Sequence, residues 1–178
     1  MIYKLLEPNH PLVTTKLPKF VDSEQDLSRA QLIENLLETM RHYGGIGLSA
    51  NQVGLPFRVF VFGDNDNYVP CFNPEIIKES DDKCPMSEGC LTYPGLFVKI
   101  YRPDRASIQF EDEKGEVHTD ELKGLPCRIF QHEMDHMNGI DFTKRATVLQ
   151  LDMAKRKLKK ARRKLKRMHE QDSLSRAS

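Results

Sequence analysis

No apolar stretch in this 178-residue chain approaches the roughly 18 residues that a membrane-spanning helix requires. Met1 to Leu6 lacks the apolar core and cleavage site of a secretory signal, so membrane insertion and export are not expected. Cysteine is sparse. Cys71, Cys84, Cys90 and Cys127 form no CxxC pair and no regular framework, which argues against a disulfide scaffold and for a reducing, cytoplasmic compartment. There is no internal repeat, and the net charge of +1 does not mark the chain as a nucleic-acid binder. The length suits one globular domain with a proper core. Charge is nevertheless unevenly spread. Residues 1–143 hold 14 Lys/Arg against 23 Asp/Glu, whereas residues 144–178 hold 13 against 3. An acidic body carrying a basic tail points to a polyanionic partner for the tail.

The Pro-rich first twenty residues read as an extended arm. Ser23 to His42 follows as an amphipathic helix, with Leu27, Leu32, Ile33, Leu36, Leu37 and Met40 on one stripe. Ser23 and Asp26 are placed to form its capping box, and Gly44 and Gly45 to end it. After a Gly-rich segment at 44–54, strands are expected at Arg58–Phe62, Tyr68–Phe72, Phe97–Arg102 and Ala106–Phe110. Lys114-Gly115 reads as a hairpin turn into Glu116–Thr119. Strands that succeed one another without helices between them imply antiparallel sheet and an α+β class. Leu125–Asn138 reads as a helix begun by Pro126 and closed by Gly139. Residues 148–170 form a basic C-terminal helix with an apolar seam of Leu151, Ala154, Leu158, Ala161, Leu165 and Met168, and 171–178 a flexible tail. The remainder, 1–147, is expected to form the domain that carries any chemistry.

Chemistry concentrates at His132-Glu133-Met134-Asp135-His136. Residues four apart on a helix project the same way one turn displaced, so both imidazoles can bind one metal ion. Glu133 lies where its carboxylate can take the proton of a water acidified by that metal. A catalytic site needs a third protein ligand. A metzincin protease would place a histidine at the position occupied by Phe142, and other zincins use a glutamate on a later helix, where this chain is basic apart from Asp152. Cys90, in Glu88-Gly89-Cys90-Leu91-Thr92, is the available alternative, a thiolate suited to a borderline-soft ion.

Three segments together resemble the peptide deformylase family. They are Gly45-Ile46-Gly47-Leu48-Ser49-Ala50-Asn51-Gln52, Glu88 to Thr92, and Gln131 to Gly139. The resemblance implies antiparallel sheets around a central helix that bears the HExxH motif, and removal of the N-formyl group from the initiator formyl-methionine of nascent peptides, with release of formate. It implies Cys90, His132 and His136 as metal ligands and Glu133 as general acid/base. The Gln52 amide and the Leu91 N–H would form the oxyanion hole. Ile46 and Gly47 would bond an extended peptide through their backbone, and Gly45, Met86, Glu88, Gly89, Leu125 and Ile129 would line the methionine pocket. Arg128 would sit at its edge, narrowing it or snorkelling outward. Ser49, Thr92 and Met137 stand where the family usually has alanine, serine and leucine, which leaves the chemistry intact. The ion is expected to be Fe²⁺ natively, with Zn²⁺, Ni²⁺ or Co²⁺ able to replace it.

A neutral donor such as Gln52 suits a developing oxyanion beside a metal, and losing one such donor typically removes about 3–4 kcal/mol of transition-state stabilisation. Lys144 to Arg167 contains 12 Lys/Arg and one acid, Asp152. Its basic faces either complement the acidic body or tether the protein to ribosomal RNA, as in some deformylases of this family. A monomer is expected. A zincin-type endopeptidase and an RNA-binding module resting on the tail alone are the competing readings.

Overall fold

The computed structural model describes residues 1–24, 26–64 and 67–176, with side chains to residue 171. The N-terminal arm runs extended except for one helical turn, α1 (Pro11–Thr14), and buries Val13, Leu17 and Phe20. Helix α2 spans Arg29–His42. It begins six residues later than the sequence pattern suggests, because a stronger capping box lies downstream. The Ser28 hydroxyl accepts the Gln31 N–H at 3.3 Å, and the Gln31 side chain accepts the Ser28 N–H at 3.1 Å. Asp22–Glu24 forms a separate 3₁₀ turn, and Asp22 pairs with Arg29 at 2.9 Å instead of capping a helix. Gly44, at φ +68°, and Gly45 return their N–H groups to Arg41 and Met40 and close α2 as expected.

Strands β1 (Gly47–Ser49), β2 (Val59–Gly63), β3 (Tyr68–Glu79), β6 (Arg105–Glu111) and β7 (Val117–Lys123) form one antiparallel sheet in the order β1-β2-β3-β6-β7. Strands β4 (Lys83–Gly89) and β5 (Phe97–Pro103) form a separate antiparallel ribbon. The α+β class with antiparallel sheets holds. Two strands, β1 and β4, are additional to those expected from pattern. β1 is only three residues long, and β4 contains Pro85 and a single large apolar residue, Met86.

The five-stranded sheet lies between two helices, and this explains the unbroken apolar run of β2. Val59 and Val61 join the α2 residues Leu32, Leu36 and Met40 in one cluster. Phe60 and Phe62, on the opposite face, join Phe130, Met134 and Met137 of α3 (Leu125–Met137). A strand covered on both faces has no reason to alternate. Helix α3 is buried nearly all round, so the HExxH helix is the centre of the molecule as expected. Gly139, at φ +67°, ends it, with the Ile140 N–H returning to the Asp135 carbonyl at 2.9 Å. Helix α4 (Val148–Arg176) packs against the β4–β5 ribbon side through Leu151, Ala154 and Leu158, which join Leu96, Val98, Ile100 and Phe142. The expected seam is buried only that far. From Lys159 to Gln171 every side chain is exposed, Leu165 and Met168 included, because the body ends beneath them.

Ser28→Ala is expected to lower stability by about 1 kcal/mol through loss of the cap. Gly139→Ala should cost more, since its Cβ would lie 2.6–2.8 Å from the Thr14–Thr15 backbone on an already left-handed residue. Urea unfolding of the two variants checks the ranking.

Candidate active site

Cys90 follows β4 directly, at a turn closed by the Tyr93 N–H on the Cys90 carbonyl at 2.9 Å. That turn aims the thiol at α3, where Cys90 Sγ lies 3.3 Å from His136 Nε2. The ligand atoms of Cys90, His132 and His136 all lie within 4.8 Å of one another. Phe142, the position a metzincin would fill with histidine, does touch the site, its ring centroid 5.5 Å from that of His132. It carries no ligand atom, and Cys90 occupies that role in space.

The donor set fits a divalent cation. Burial opposes a thiolate at Cys90, but the charges and hydrogen bonds of His136 and His132 override it and hold the thiol well below its ordinary pKa. Burial likewise opposes a charged His132, yet the hydrogen bonds it donates to Cys90 and Glu88 raise its pKa to about 10. A divalent cation held by these three side chains would balance the thiolate charge. His132 Nδ1 lies 3.2 Å from Glu88 Oε2, an arrangement that orients the ring and leaves Nε2 for a metal.

Glu88 is held from three sides. Arg102 donates Nε and Nη2 to its two oxygens, each at 2.8 Å, and Arg128 Nη1 donates at 2.7 Å. Burial pushes the Glu88 pKa up, but these partners and His132 hold it far below the carboxylate range. Arg102 also reaches Asp135 at 2.7 Å, and Asp135 accepts from Arg145. Arg128 therefore does not snorkel outward. It is 4% exposed and also donates to the Ile100 and Cys84 carbonyls, because a buried carboxylate offers more than solvent does.

Glu133 is fixed by β1. Its Oε2 accepts the Ser49 hydroxyl at 2.5 Å. Its Oε1 occupies the space a Cβ on Gly47 would need, with Ile129 Cγ2 only 2.9 Å from the same point. Burial raises the Glu133 pKa, opposed by the two histidines and Ser49. Ser49, which pattern marks as a neutral replacement for alanine, thus bonds directly to the expected acid/base. Gln52 sits in the 3₁₀ turn Ala50–Val53. Its Oε1 accepts the Ser49 N–H at 2.9 Å, which turns Nε2 towards Thr92 Oγ1 at 3.0 Å and Cys90 Sγ at 3.4 Å. Asn51, an unremarked motif position, donates to the Leu12 and His136 carbonyls and ties the arm to the end of α3.

These groups open onto a cleft of about 590 Å³. Gly45, Ile46 and Gly47 line it at the start of β1, Met86, Glu88 and Gly89 on β4, and Leu125, Arg128 and Ile129 on α3. Gln52, Cys90, Leu91, His132 and Glu133 form its inner end. The Ile46 carbonyl accepts the Gly63 N–H, so it is turned to β2, while the Ile46 side chain is 51% exposed. Sequence reasoning missed the opposite wall, Tyr93 to Phe97, and Tyr43. Phe97 lies over Gly89, where an added Cβ would meet its ring at 2.7 Å. The bare glycine before Cys90 was the signal for that close approach.

The family model described as polypeptide deformylase matches residues 2–152. The chain belongs to that family. A peptide deformylase of Thermotoga maritima is 33% identical over 93% of this chain and all of its own length. A plant peptide deformylase crystal structure superposes with a TM-score of 0.80 at 33% identity, covering 93% of this chain and 92% of that one. A Met-Ala-Ser-bound peptide deformylase of Acinetobacter baumannii gives 0.77 at 27% identity, over 82% and 99%. The members of this family are metallo-hydrolases, and the buried Cys90–His132–His136 cluster is a group of this chain that suits a divalent metal.

Gly47→Ala is expected to displace Glu133 and lower turnover about 100-fold, the lower range for loss of a general base. Bound metal, measured by atomic absorption, should be retained. Arg102→Ala leaves two buried carboxylates short of a partner and should reduce stability by about 3–5 kcal/mol in urea titration.

Proposed function

We propose that this chain removes the formyl group from formyl-methionyl peptides, and that Glu133, Gln52 and the Leu91 N–H act on the formyl carbon and oxygen. The observation that carries this is the meeting of a Cys90–His132–His136 cluster, a buried carboxylate and a neutral amide donor, with Cys90, His132, Glu133 and Gln52 all lining one cleft. Cys90, His132 and His136 would hold one divalent ion, Fe²⁺ natively. When bound, that ion supplies Lewis acidity, lowering the pKa of a water towards about 7. Glu133 Oε2 is occupied by Ser49, so Oε1 takes the water proton and returns it to the leaving amine. Gln52 keeps one Nε2 hydrogen on Thr92 and offers the other, on the Cys90 side, to the formyl oxygen together with the Leu91 N–H.

The substrate's methionine would lie between Met86, Leu125 and Ile129, with the backbone edge at Ile46 and Gly47 bonding the extended peptide like an added strand. Met-Ala-Ser, which the Acinetobacter enzyme holds, is what deformylation of formyl-Met-Ala-Ser leaves behind. Arg128 closes the pocket wall with its guanidinium bound to Glu88 and backbone carbonyls, so the wall presents no unpaired cation to the methionine. The exposed basic length of α4 would bring the enzyme to ribosomal RNA, where nascent chains emerge. No described helix is long and apolar enough to cross a membrane, and the four cysteines are free, in keeping with a cytoplasmic monomer.

With Fe²⁺ loaded anaerobically, formyl-Met-Ala-Ser should yield formate, and Glu133→Ala should lower kcat by roughly 10²–10⁴ while keeping its metal. Absence of formate release from Fe²⁺-loaded parent protein would sink the reading. Co-sedimentation with ribosomes at low salt should weaken in a Lys160/Lys164/Arg167→Gln variant and fall steeply with added salt. Unchanged pelleting would remove the tether.

A further inference from the structure

The cleft wall that sequence missed is not self-supporting. Tyr93 and Leu96, which line the cleft, belong to the same apolar cluster as Leu151, Ala154 and Leu158 of α4. Gly95, at φ +79°, has no side chain, and a Cβ there would stand 3.1 Å from Leu158 Cδ1, so the helix packs on the bare loop. One turn further on, Arg162 Nη2 donates to the Pro94 carbonyl at 3.2 Å. Beyond Arg162 the side chains as far as Gln171 are exposed. The same guanidinium also lines a groove with Lys155, Leu158, Lys159, Arg163 and Lys166, five cationic side chains over one apolar one. A phosphodiester backbone running along that groove meets Arg162 between other cations, and a phosphate oxygen is a stronger acceptor for it than a neutral carbonyl.

We propose that Arg162 is a positioning residue for the peptide cleft, and that RNA bound along the α4 groove acts on peptide binding through it. Arg162 holds Pro94, and Pro94 with Gly95 to Phe97 forms the wall across which the peptide lies. When a phosphate draws Arg162 away, that wall loses its outer tether and peptide binding weakens. His132, Glu133 and His136 lie on α3, and Arg162 bonds only the Pro94 carbonyl, four residues past Cys90, so the effect falls on peptide binding and the chemical step is unchanged. The linkage is reciprocal: bound peptide weakens RNA binding by the same factor. The second half rests on α4 being a polyanion surface; the tether itself does not.

The test measures kcat and KM separately on metal-loaded full-length protein, with an uncharged, C-terminally amidated formyl-Met-Ala peptide. Labelled poly-uridylate RNA, followed by fluorescence anisotropy, reports occupancy of the groove. Arg162→Ala should raise KM about threefold with kcat unchanged, as expected for loss of one charge-assisted hydrogen bond at the surface. Lys157→Ala, a charge on the same helix outside the groove, should leave both constants alone. Saturating RNA should raise the parent's KM to the level of the Arg162→Ala variant and have no further effect on that variant. If RNA binds and KM does not move, the linkage is overturned while a ribosome tether survives. If RNA does not bind, both fall. If Arg162→Ala and Lys157→Ala behave alike, Arg162 does not position the wall.

Discussion

The carboxylate of Glu88 is the constraint on which the site depends. It sits at the end of β4, two residues before Cys90, and binds Arg102 from β5, Arg128 from α3 and His132 from α3. The β4–β5 ribbon and helix α3 are thereby brought together around one charge. A buried carboxylate is expensive unless fully paired. Here both oxygens are occupied, and the same pairing sets the His132 ring and delivers Cys90 to within 3.3 Å of His136. The network continues through Arg102 to Asp135 and Arg145, reaching the segment that leads into α4.

β1 supplies the complementary constraint. It is an edge strand of three residues, too short to stabilise itself, and its worth lies in what it presents to α3. Gly47 leaves room for Glu133, Ser49 bonds it, and the Ser49 N–H orients Gln52. One short segment therefore places the Glu133 carboxylate and the Gln52 amide together. This is why the Gly-rich motif and the HExxH motif, more than eighty residues apart, behave as one unit.

The C-terminal helix has two parts with different physics. As far as Leu158 it is core, sharing apolar contacts with the wall of the cleft. Beyond that it is a solvated rod of positive charge. The junction falls at Arg162, which is bonded to the body and open to the basic groove at once.

The sequence by itself pointed to Cys90, His132, His136 and Glu133 as the residues to bring together, and determined the α+β class. Those follow from local rules: four-residue spacing on a helix, glycines at turns, and strands without helices between them. The start of α2 was misplaced because Ser23 and Ser28 both head plausible caps, and only the pairing of Asp22 with Arg29 separates them. β4 went unread because its register comes from β5 and not from its own apolar pattern. The role of Ser49, the inward path of Arg128, the Tyr93–Phe97 wall and the point at which α4 leaves the body were decided by tertiary structure alone. Each depends on which distant groups share a buried volume, and hydrogen bonding and desolvation across that volume leave no periodic trace in the chain.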